Sequence, residues 1–207
     1  MKKLLESINS VRNSDVADTI EKRMSQFRSL GRQSEEEIFN ELCFCILTAN
    51  FRADRSIYVQ KELGDGFIIL PMDVLAKKLK TLGCRFHTNK AKYMVEARKH
   101  EGIKEKLNSM ENDVERREWI VKNVKGIGYK EASHFLRNIG YSDVAIVDFH
   151  IIDLLVEHKL VEKPKTMSKK NYLEIENLLR KIAKNVKLNL GELDLYLWYL
   201  ETGKVLK

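Results

Sequence analysis

An amine held at the first turn of a helix is a nucleophile whenever it is unprotonated. The segment Val124-Lys-Gly-Ile-Gly-Tyr-Lys-Glu-Ala132 offers one: Lys130 stands two residues past a Gly-x-Gly turn. Two glycines flanking one apolar residue permit positive φ angles and a close approach of another backbone. The amides of that turn, Val124, Gly126 and Gly128 among them, then form an anion site with the following helix N-terminus, and no side chain is needed. Most Gly-x-Gly turns between helices are only tight turns. Eighteen residues after Lys130, however, Val144-Ala-Ile-Val-Asp-Phe-His-Ile151 puts Asp148 where an apolar run meets a helical one. Alone, Asp148 is a helix cap. His150, two residues on, reads as a packed, hydrogen-bonded histidine.

The elements that must position these groups are helices. Ser34-Glu-Glu-Glu37 is a capping-box pattern, followed by Ile38, Phe39, Leu42, Cys45, Ile46 and Ala49 on one face. Val114–Lys122 leads into the hairpin. Ala132, Phe135, Leu136 and Ile139 repeat at helical spacing and stop at Gly140. Ser168 caps a helix with Ile175, Leu178, Leu179, Ile182 and Val186 on its apolar face, and a last helix runs from Leu193 to Leu200 before Gly203. Phe67–Leu70 and Val144–Val147 look strand-like but are too short to build a sheet. The expected fold is all-α.

Composition narrows the function. The chain has 207 residues and a formal charge of +7, with 43% hydrophobic and 32% charged residues, as in a globular domain. No apolar run is long enough for a bilayer, and Glu6 interrupts any signal-peptide core. A soluble, cytoplasmic protein is expected. Three cysteines (43, 45 and 84) exclude a fully paired disulfide framework and a four-cysteine iron–sulfur site, and no zinc spacing is present. Residues 73–106 carry ten Lys/Arg against four Asp/Glu, and 161–187 carry eight against three. Such stretches are either solvated faces or a surface for a polyanion.

The ordered combination of Gly-x-Gly-x-Lys, an apolar helix and Val-Asp-x-His resembles the helix-hairpin-helix DNA glycosylases of the endonuclease III superfamily. Cys45-Ile-Leu-Thr-Ala-Asn50 occupies the place of that family's early core helix, so the likeness runs from about residue 38 to residue 151. The family's hairpin proline is absent, Lys125 standing before Gly126, and so is its C-terminal cysteine cluster. A short, cluster-free, basic chain ending in lysine is most similar to the archaeal-type (type 2) 8-oxoguanine DNA glycosylase/AP lyases.

That resemblance implies two helical lobes with the active site in the cleft between them. Residues 31–147 would form a helical barrel lobe containing the helix-hairpin-helix (113–139), and 1–30 plus 148–207 the second lobe. It implies Lys130 as nucleophile at C1′, a Schiff base and β-elimination, with Asp148 assisting. The DNA backbone would lie on Val124, Gly126 and Gly128, with a structural monovalent cation on the hairpin carbonyls and no other cofactor or metal. Lys207, with Trp198 and Asp194, would recognise the damaged base. For Trp198 a core position and a stacking role are both open. The implied partner of a monomeric, DNA-associated chain is duplex DNA containing oxidised guanine, with no membrane partner. Excision of oxidised pyrimidines or mismatched bases, and a non-enzymatic DNA-binding module, are the alternatives.

Overall fold

The computed structural model describes residues 1–207 as thirteen helices with no strand. In chain order these are α1 (Lys2–Arg12), α2 (Val16–Leu30), α3 (Glu35–Thr48), α4 (Ala53–Leu63), α5 (Gly66–Ile69), α6 (Met72–Thr81) and α7 (His87–Ala97). Then follow α8 (Ile103–Asn108), α9 (Asp113–Asn123), α10 (Tyr129–Asn138), α11 (Phe149–Glu157), α12 (Lys169–Val186) and α13 (Leu190–Thr202). No helix is long and apolar enough to cross a membrane.

The apolar side chains fall into two cores. One gathers residues from Ile38 to Val144 around α3. The six-residue apolar run Leu42–Leu47 is continuous because this helix is wrapped on every side, so Cys43 and Cys45 are core residues and burial pushes both thiols up. The other core is built by α1 and α2 from the start of the chain and by α11, α12 and α13 from its end. The change from one core to the other falls between Val144 and Ala145.

The junction explains one of the strand-like segments. Val144–Val147 is extended with no partner strand, so its backbone groups need side-chain partners. Ala145 N–H donates to Glu176 (2.8 Å), Tyr172 O–H donates to the Ala145 carbonyl (2.7 Å), and Val147 N–H donates to the Tyr172 oxygen (3.2 Å). Glu176 on α12 also pairs with Arg117 of α9, whose side chain is fully buried. The crossing segment is thus held by a charge pair that joins the lobes. The other segment, Phe67–Leu70, is not strand-like in the structure. Gly66–Ile69 form the short helix α5 and Phe67 fills the first core.

The caps fall as the sequence reading places them. Ser34 accepts from Glu37 N–H (3.4 Å) and Ser168 from Asn171 N–H (3.2 Å), while Gly203 ends α13 in the left-handed conformation.

Candidate active site

Between the lobes lies a cleft of about 740 Å³. Helix α10 lines it with Lys130, His134 and Arg137, the N-terminus of α11 with Asp148, Phe149 and His150, and α13 with Asp194 and Trp198. The first lobe contributes Thr48, the turn around Asn50–Asp54, and Arg85, and Leu206 and Lys207 line it as well. Six cations (Arg52, Arg85, Lys130, Arg137, Lys204, Lys207) face three carboxylates (Asp54, Asp148, Asp194). That excess suits a polyanionic ligand.

Lys130 is placed by the hairpin. Gly126 has φ +83°, and a Cβ there would lie 2.3 Å from the Tyr93 ring, so the turn closes only with glycine. The sequence reading gave both glycines this requirement. Gly128 instead is the extended N-cap of α10, and a Cβ on it would meet only a Glu131 carboxylate oxygen at 3.4 Å. Val124 is buried in the first core, so only its backbone is available to a strand. Glu131 accepts from Gly128 N–H (3.3 Å) through one oxygen and lies 3.0 Å from Lys130 Nζ through the other, tying the amine to the turn.

Asp148 lines the same cleft and caps α11, accepting from Ile151 N–H at 2.9 Å. The cap uses Oδ1, so a helical and a chemical role are compatible on one carboxylate. Next to it Phe149 is 63% exposed. His150 stacks on Phe149 and meets the Trp198 ring edge-on at 4.7 Å, with Glu201 3.8 Å from its Nδ1. Trp198 is therefore a wall of the cleft rather than a core residue, and its indole nitrogen has no hydrogen-bond partner. Asp194 departs from the expected base-reading role. Its carboxylate is already paired with Arg137, and burial pushes it up to about 6, against the pull of Arg137 and helped by the charge of Asp148.

Lys207 lines the cleft, and its ammonium reaches Glu41 (2.7 Å) and Gln60 (2.6 Å) in the first lobe, neither of which lines it. Sequence reasoning missed those two residues, as it missed Arg137 and His134. The last had a signal: it sits four residues after Lys130, one turn along the same face. His134 is 8% exposed and rests edge-on against Phe44; burial, reinforced by Arg137, Lys130 and Lys207, holds its imidazole well below the ordinary value. Next in the chain to Arg85, which lines the cleft, Phe86 is 55% exposed in the left-handed region (φ +56°) with Arg85 over its ring.

An all-helical body whose hairpin opens directly onto an amine-bearing cleft has the architecture of the helix-hairpin-helix DNA glycosylases. Within that class, the family model for 8-oxoguanine DNA glycosylase matches residues 20–188, and the chain belongs to this family. It is 55% identical to the 8-oxoguanine DNA glycosylase/AP lyase of Methanocaldococcus jannaschii over 205 residues, covering 99% of both chains. It is 49% identical to that of Korarchaeum cryptofilum, over 99% of this chain and 98% of the relative. The crystal structure of the M. jannaschii 8-oxoguanine glycosylase/lyase in complex with a 15mer DNA containing 8-oxoguanine superposes with a TM-score of 0.97, covering 99% of this chain and 100% of that one. The 8-oxoguanine DNA glycosylase of Thermotoga maritima matches with a TM-score of 0.93 at 44% identity, covering 100% of this chain and 99% of that one. These relatives make the branch the archaeal-type one, with bacterial members.

Proposed function

We propose that this chain excises 8-oxoguanine from duplex DNA and then cuts the strand 3′ to the abasic site, with Lys130 as nucleophile. The observation that carries the reading is that Lys130 and Asp148, from helices of different lobes, open onto one cationic cleft large enough for an extruded nucleotide. Neutral Lys130 Nζ attacks C1′; the C1′–N9 bond breaks, and its electron pair leaves with the base, which takes up a proton. Asp148 accepts the proton that the attacking nitrogen sheds and offsets the positive charge that develops on the sugar. Opening of the sugar gives an imine between Lys130 and C1′. Loss of a C2′ proton then breaks the C3′–O3′ bond, and the 3′ phosphate departs. Hydrolysis of the imine frees the enzyme.

Backbone amides of the 124–128 hairpin hold a phosphate of the strand. The carbonyls of Val124, Gly126 and Ile127 accept no hydrogen bond within the chain, which suits a monovalent cation seated there beside the DNA. The protein works as a monomer on cytoplasmic DNA. The direct test incubates it with duplexes carrying a single 8-oxoguanine, thymine glycol, G·T mismatch or abasic site. Release of 8-oxoguanine with nicking, and nicking of the abasic duplex, is the expected result. Preferential release of the oxidised pyrimidine or the mismatched base would replace the substrate, and binding with no release or nicking would remove the enzyme.

A further inference from the structure

Glu41 is a carboxylate 2% exposed in the middle of α3, and the chemistry above does not use it. A buried carboxylate must be paired and fully hydrogen-bonded to be tolerated. Glu41 Oε1 accepts from Asn138 Nδ2 (2.5 Å); Oε2 accepts from Gln60 Nε2 (3.2 Å) and from Lys207 Nζ (2.7 Å). Its one ion-pair partner is therefore Lys207, which lies 166 residues away in the chain. The ammonium is engaged in turn. It donates to Glu41 and to Gln60 Oε1 (2.6 Å), and sits 4.1 Å from the centre of the Phe44 ring. An ammonium has three protons and no acceptor; two of them are spent on Glu41 and Gln60, and the charge rests on an aromatic face. The same Phe44 ring supports His134, one turn along α10 from Lys130.

Residues 204–207 have no regular structure of their own. Val205 packs on the second core, while Leu206 and Lys207 line the cleft. The segment is thus seated on both lobes, and its hold on the first lobe is the Lys207 ammonium. The clamp is also continuous with the cleft floor. Asn138 accepts from Arg137 (2.8 and 3.1 Å), and Arg137 pairs with Asp194.

We propose that Glu41 and Gln60 are positioning residues for base recognition: they anchor Lys207 by its ammonium, so that residues 206–207 form a fixed wall of the base pocket and the lysine side chain itself does not read the base. This rests on the 8-oxoguanine reading above.

Two measurements on Glu41→Gln, and on Gln60→Leu as a milder second variant at a half-exposed site, test it. The first needs no activity: amide hydrogen exchange at residues 204–207 should accelerate by about tenfold or more, with exchange in α3 and α10 unchanged. The second compares excision of 8-oxoguanine with nicking of a preformed abasic duplex. A displaced pocket wall should lower the former by about 10- to 100-fold and leave nicking within about twofold. Glu41→Gln combined with Lys207→Met should be no worse for excision than the worse single variant, because both changes cut one anchor. Wild-type exchange at 204–207 in Glu41→Gln overturns the anchor. Full excision by Glu41→Gln, or additive losses in the double variant, overturns its role in recognition and returns the ammonium to the base. A wild-type protein that excises no 8-oxoguanine while Glu41→Gln still frees the segment leaves the anchor standing and refutes the substrate reading instead.

Discussion

Replacing Gly126 by alanine separates the two constraints that shape the hairpin. At φ +83° a Cβ strains the backbone, which costs about 1–2 kcal/mol for an L-residue. The same Cβ would lie 2.3, 2.8 and 2.9 Å from three Tyr93 ring atoms, so the ring or the turn must move. Overpacking of that kind costs about 1–3 kcal/mol. The sum is about 2–5 kcal/mol, or a fall of roughly 4–20 °C in Tm for a domain of this size. Gly128→Ala, with extended backbone and only a flexible carboxylate at 3.4 Å, should cost under about 1 kcal/mol. Thermal and urea unfolding of both variants supply these numbers. Removing the obstacle in Tyr93→Ala should reduce the cost of Gly126→Ala to the backbone part, about 1–2 kcal/mol. On the proposed contact of the hairpin amides with phosphate, Gly126→Ala should weaken binding to undamaged and lesion duplexes in equal proportion. Equal stability of the two glycine variants would refute the geometry. A binding loss confined to lesion DNA would move the hairpin into the base pocket.

Other positions make independent demands. Asp148→Asn keeps an equally good cap for α11, so stability should shift by less than about 0.5 kcal/mol, whereas excision should fall by about a hundredfold or more; wild-type excision rates would reduce Asp148 to a cap. Glu176→Gln leaves the fully buried Arg117 without its counter-charge and should cost about 3–5 kcal/mol in denaturation, a value under about 1 kcal/mol contradicting the inter-lobe pair. Asp194, pushed up to about 6 in the fold, binds its proton more tightly folded than unfolded. Its contribution is complete below the unfolded value of about 3.9 and is lost as pH rises through 6. Relative to Asp194→Asn, wild-type stability should therefore decline between pH 4 and 7 by up to about 3 kcal/mol, and a difference that grows with pH would reverse the assignment.

Local features were readable because they leave local traces. The Ser34 and Ser168 caps, the Gly-x-Gly turn and the spacing of Lys130 to Asp148 are each written in a few adjacent residues. Phe67–Ile69 misled because a short apolar run has no period of its own, and core packing of Phe67 settled it as helix. Val144–Val147 was correctly extended, yet its partners, Tyr172 and Glu176, stand on a helix far along the chain. The same holds for Glu41 with Lys207, Arg137 with Asp194, and Arg117 with Glu176. A buried pair between distant helices breaks the apolar pattern at each end without naming its partner. Asp194 and Lys207 were thus placed at the cleft correctly in sequence terms, while the direction of each charged group depended on a residue that no spacing rule connects to it.

Trapping with borohydride tests the central claim most directly. Incubated with a duplex containing 8-oxoguanine and reduced in place, the wild-type protein should become covalently joined to the DNA, and peptide mapping should find the reduced imine on Lys130. Lys130→Gln should give no adduct and no base release while still binding the duplex. An adduct on another lysine of the cleft, such as Lys204 or Lys207, or normal base release by Lys130→Gln, would contradict Lys130 as the nucleophile.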